Sequence, residues 1–140
     1  MSEVQVATPE TAERLRRQGL MMVGSLLIEF IGGIAVTFWV QTPEAGSGWS
    51  DASPKWLLMA HVIWGVLVLL LGLWILIVAR KGKSRTWLSM GAFGFVGIII
   101  AFAGGNSFMN DVSSDAASFI MAIGFAIALF FYSFGLFKKD

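Results

Sequence analysis

Residues 56–85 read WLLMAHVIWGVLVLLLGLWILIVARKGKSR: 24 residues from Trp56 to Ala79 without a charge, then Arg80, Lys81, Lys83 and Arg85 within six positions. A hydrocarbon core of about 30 Å takes ~20 helical residues at ~1.5 Å each, so the apolar part crosses a bilayer and the basic part halts it at the surface. Three more runs share this character: Leu20–Val40 (21 residues, one charge), Trp87–Ala103 (17, none) and Ala116–Phe137 (22, none). The four runs take up 84 of 140 residues, and the 56 left over lie in tails and loops too short for a water-soluble domain.

Inside lipid every backbone polar group needs an internal partner, which leaves helices or closed barrels. Barrel strands alternate in polarity, and Val66–Leu71 and Val96–Ala101 do not. The expected fold is therefore all-α: a four-helix transmembrane bundle over 20–137, with spans 20–40, 56–79, 87–105 and 116–137, flanked by an N-terminal helix or tail, 1–19, and a short tail, 138–140. Gly104-Gly105 is expected to end the third span as a C-cap, and Ser114 to cap the fourth. Thr8 is suited to N-cap a helix with Pro9 in its first turn, running directly into the first span. No cleavage site follows that span, so it is expected to serve as the insertion signal itself.

Nine of the ten Lys and Arg residues fall on one face: Arg14, Arg16 and Arg17 before the first span, the four of the second connection, and Lys138 and Lys139. Only Lys55 falls on the other, so the positive-inside rule predicts an integral membrane protein with both termini cytoplasmic. Trp39, Trp49 and Trp56 are expected to mark the outer interface, and Trp87 and Tyr132 the inner one.

Composition removes several classes of function. The chain is 56% hydrophobic with a net charge of +1, so it has no basic face broad enough for nucleic acid. It has no cysteine, which excludes thiolate nucleophiles, zinc–thiolate sites and iron–sulfur clusters. No phosphate-binding loop, nucleophile elbow or histidine pair occurs, and the sequence leans away from an enzyme. Asn106, Asn110, Asp111 and Asp115 carry oxygen ligands for a cation, but loop capping explains them equally well.

Small residues at i,i+4 spacing mark where membrane helices meet. The stripes are Ser25, Glu29, Gly33 and Thr37 in the first span and His61, Gly65 and Gly72 in the second. The third has Gly97, Ala101 and Gly105, and the fourth Ser118, Ala122 and Ala126. Glu29 and His61 lie on such stripes, so both are expected to face the bundle interior.

His61, the single histidine, lies five residues inside Trp56, about 7 to 8 Å deep. Histidine followed by glycine at i+4, here Gly65, resembles the haem-bearing helices of b-type membrane cytochromes. That resemblance implies haem b, with His61 on the haem iron and Gly65 making room for the porphyrin. A second axial ligand would come from another subunit's histidine or from Met121, at about the same depth. The plain alternative is a histidine bonded to a serine or a backbone carbonyl across the bundle.

Glu29 lies eleven residues from the outer end of its span, about 16 Å deep and near the midplane. A carboxylate there is costly to ionise, and proton-coupled carriers use such acids. Leu27-Ile28-Glu29-Phe30-Ile31-Gly32 resembles the first helix of the small multidrug resistance transporters, four-span proteins with an essential acid at that place. The resemblance implies proton coupling at Glu29 and hydrophobic cations as substrates. The alternative is a neutral acid bonded to bare backbone near Gly94 and Gly97. Counted this way, Glu29 and His61 differ in depth by about 9 Å, and no direct pair between them is expected.

Three readings follow. The first is an accessory or oligomeric subunit with an intramembrane cavity, whose partners are the lipid bilayer and a homo-oligomer or larger membrane complex. The second is haem b electron transfer through His61, and the third a proton-coupled carrier working through Glu29.

Overall fold

A computed structural model of the chain describes residues 8–41, 49, 52–110 and 115–138. Among them are four long helices: α1 (Pro9–Trp39), α2 (Lys55–Lys81), α3 (Arg85–Asn110) and α4 (Asp115–Phe137). All four are long and apolar enough to cross a membrane, as an integral membrane protein requires. They run alternately up and down, each packed on its chain neighbour, and α4 closes the ring against α1.

The local chemistry of the ends is simple. Thr8 accepts a hydrogen bond at 3.3 Å from the amide of Thr11, and Pro9 opens α1, which continues unbroken into the first apolar run. Between α2 and α3 the chain turns through Gly82 and Lys83, the latter at φ 56°, and the Ser84 hydroxyl accepts from the Trp87 amide at 3.2 Å. At the opposite end Gln41 and Ser53 exchange backbone hydrogen bonds of 2.8 and 3.2 Å. Ser114 lies outside the described residues.

That backbone bridge sets the register of α1 on α2. Gly33 and His61 each stand eight residues from their bridge partner, Gln41 and Ser53 respectively, and Glu29 and Gly65 each stand twelve. By the same count Leu26 stands level with Val68 and Leu15 with Ala79, and all four are buried in one apolar cluster. An antiparallel seam with one register thus runs from one end of the bundle to the other.

The α3–α4 seam is closer still. A Cβ on Gly97 would lie 2.6 Å from the Ala128 nitrogen and 2.7 Å from the Gly124 carbonyl oxygen, and one on Gly104 would lie 2.6 Å from the Met121 nitrogen. Only glycine admits backbones at this distance, and in lipid such packing is the main attraction between helices. Gly104 is therefore a contact residue, and α3 continues past Gly104-Gly105 to Asn110 instead of ending there. On α4 the contact face is Ala117, Met121, Gly124 and Ala128, whereas Ala122 and Ala126 of the expected stripe are exposed.

The core is built of large residues set into small ones. Trp87, 3% exposed, fits between Gly19 of α1 and Gly135 of α4. Tyr132 is fully buried over Gly72 and Gly94, its hydroxyl donating to the Gly91 carbonyl at 3.4 Å. Neither is the interfacial aromatic that its place near a span end suggests. Each has a hole among the glycines of other helices that makes burial favourable. Trp39 and Trp56, by contrast, are exposed, as the expected belt requires.

Candidate functional site

Glu29 and His61 meet in the α1–α2 seam. Glu29 Oε1 lies 3.3 Å from His61 Nδ1, and each side chain is 19% exposed. This overturns the expectation of separate depths. Counting from Val40 and Trp56 treats those two residues as level, but the Gln41–Ser53 bridge shows that Trp56 is already three residues into its descent. The true offset is four residues, about 6 Å or one turn, which two inclined side chains can span.

Glycines give them the room to incline. The imidazole lies along α1, with Nδ1 3.2 Å from the place of a Gly32 Cβ and Cε1 3.5 Å from that of Gly33. The carboxyl lies along α2, with Oε1 2.9 Å from the place of a Gly65 Cβ. Each ionisable group therefore occupies the notch left by a glycine opposite it.

The surrounding contacts hold this geometry. One turn from Glu29, the Trp64 indole donates to the Ser25 carbonyl at 3.1 Å, tying α2 to α1. Phe30 stacks on Phe125 of α4 with ring centres 5.2 Å apart, which fixes the far side of α1. Thr37 returns its hydroxyl to the Gly33 carbonyl at 2.9 Å and so makes no claim on the Glu29–His61 pair. Even so, Nδ1 and Oε1 are out of line for a hydrogen bond, and Nδ1 and Oε2 have no hydrogen-bond partner. Buried polar atoms left this way are uncommon and mark a site with bonding capacity to spare.

The other expected site residues lie elsewhere. Met121 is in the α3–α4 seam, its backbone against Gly104 and its sulfur 3.5 Å from the place of a Gly105 Cβ. The space over Gly65, which a porphyrin would need, is taken by the Glu29 carboxyl. The residues present do not fit a haem there. Gly94 and Gly97, expected to accept a proton from Glu29, are covered instead by the Tyr132 ring and by the α4 backbone. Of the oxygen-rich connection, Asn110 bonds back to Asn106 within α3 and Asp111 lies outside the described residues. Among the described residues no group of three or more His, Cys, Asp or Glu is placed to hold a metal.

Trp64 is the positioning residue that sequence reasoning missed. Its signal was present in the i+3 spacing from His61, which puts both on one face of α2.

No family model, curated protein or solved structure matches this chain.

Proposed function

We propose that the protein is a proton-coupled membrane carrier whose proton site is the Glu29–His61 pair. The observation that carries this is the 3.3 Å approach of a carboxyl and an imidazole twelve and eight residues from the bridged end, with two polar atoms unbonded. A pair holding one proton is neutral overall wherever that proton sits, and neutrality is the least costly state at this depth. Loss of the proton leaves a net negative charge in the seam, which a cation can replace. Exchange of a proton for a cation on one carboxylate is the elementary step of an antiporter. The short resemblance of Leu27–Gly32 to small multidrug resistance transporters suggests a hydrophobic cation as the exchanging partner.

The test uses tetraphenylphosphonium added to the detergent-solubilised protein in weak buffer, with a pH dye as readout. Proton release that is lost in Glu29→Gln and altered in His61→Ala is the expected result. Equal release from Glu29→Gln, or no release together with an infrared carboxyl band that does not respond to pH, would overturn the proposal.

A second reading, an oligomeric or accessory subunit, is favoured by small residues left facing outward: Ala122 and Ala126 on α4, and Gly24 on α1 with nothing within 4 Å. Light scattering in mild detergent decides it, since a protein mass of 15.2 kDa means a monomer.

A further inference from the structure

At the end of the bundle where α1 begins and α2 ends, an open groove of about 290 Å³ lies between the two helices. Its α1 wall carries Thr11 and Arg14, its α2 wall Trp74, Ile77, Val78 and Lys81. The α2 residues follow i, i+3, i+4, i+7 spacing, so they form one continuous face whose last member is a cation. Trp74 to Lys81 is seven residues, about 10 Å along the axis. The groove is thus cationic at its outer lip and apolar one to two turns further in. Trp74 is 47% exposed and Ile77 38%, on a helix surface that faces acyl chains in a bilayer. Gly82 lines the groove beside Thr11, which a Cβ there would overlap.

We infer that this groove is a binding site for one anionic phospholipid, its phosphate held between Arg14 and Lys81 and the start of an acyl chain laid along Trp74 and Ile77. Charge complementarity selects the headgroup. Two cations from different helices line one opening at the end of the bundle that holds eight of the nine described Lys and Arg residues, and basic pockets between helices at a membrane surface favour anionic headgroups. The apolar inner wall selects a lipid over a free anion, because a soluble phosphate would leave Trp74 and Ile77 uncovered. The groove's size, near the ~300 Å³ at which small-ligand pockets begin, suits a headgroup and its first methylenes. This inference stands apart from the Glu29–His61 site and does not depend on it.

The experiment reconstitutes the full chain in vesicles of phosphatidylcholine and phosphatidylglycerol at one fixed ratio, with brominated chains on one lipid or the other. Bromine quenches a nearby indole, so brominated phosphatidylglycerol should quench tryptophan emission more than brominated phosphatidylcholine at equal mole fraction. Trp74→Phe should remove that excess, and Arg14→Gln/Lys81→Gln should bring the ratio of the two quenchings to that of bulk lipid. The charge-preserving Arg14→Lys/Lys81→Arg variant should keep the preference, which separates headgroup binding from a folding defect. Equal quenching by both lipids in the unmodified protein would overturn the inference. So would a preference that survives the double glutamine variant, or one that added inorganic phosphate abolishes, the mark of a free-anion site.

Discussion

Glu29 and His61 stand one helical turn apart in depth on facing helices, yet their side chains bring Oε1 and Nδ1 to 3.3 Å. Each thereby limits the cost of burying the other. Breaking a buried pair by removing one partner costs about 3–5 kcal/mol, whereas replacing both partners by apolar groups is often neutral. Glu29→Leu and His61→Leu should each lower resistance to unfolding by SDS in mixed micelles, and the double variant should regain most of that loss. The four proteins form a double-mutant cycle. Losses that simply add would show that the two groups do not interact.

The glycines of the seam are not equivalent. A Cβ on Gly65 would press on the Glu29 carboxyl at 2.9 Å, while one on Gly33 would touch the imidazole at an ordinary 3.5 Å. Gly65→Ala should therefore displace the carboxyl and reduce cation-driven proton release, at a stability cost within the ~1–3 kcal/mol of overpacking. Gly33→Ala should release protons like the unmodified chain. If the two variants behave alike, the carboxyl does not rest in the Gly65 notch.

Four helices were legible because uncharged runs of bilayer length have no other stable form in lipid. The composition of the α1–α2 seam was legible too, since Glu29 with Gly33 and His61 with Gly65 share i,i+4 spacing. Their meeting was not, because depth was counted from Val40 and Trp56, and the backbone bridge that levels the two helices is a tertiary fact. On α4 two small-residue faces compete. Ala122 and Ala126 fit the spacing rule as well as Gly124 and Ala128 do, and only the glycines of α3 opposite decide between them. The burial of Trp87 and Tyr132 is hidden from the sequence for a related reason: the holes that receive them are made by glycines distant in sequence.

Tyr132 carries two separable contributions. Its hydroxyl reaches a carbonyl of α3 at 3.4 Å, while its ring fills the space over Gly72 and Gly94. Side-chain hydrogen bonds between membrane helices average about 0.6 kcal/mol, but emptying a large aromatic site costs about 3–5 kcal/mol. Tyr132→Phe should thus melt close to the unmodified protein and Tyr132→Ala far below it. Comparable losses in the two variants would mean that the hydroxyl, and not the ring, holds α3 to α4.

Gly124 and Gly24 make the corresponding pair for backbone approach. Around Gly24, on the outer face of α1, nothing lies within 4 Å, so Gly24→Ala adds a methyl to open space and removes the conformational freedom that makes glycine unfavourable in a helix, a gain of up to about 1 kcal/mol. At Gly124 the added carbon would overlap the α3 backbone at Ala101. Backbone cannot yield as a side-chain tip can, so α3 and α4 must separate, and the contacts of Gly97 and Gly104 weaken with them. Gly124→Ala should therefore lose stability by about 1–3 kcal/mol while the chemically identical Gly24→Ala loses none. Measured side by side in SDS titrations, equal effects would refute the close α3–α4 seam on which the rest of the packing depends.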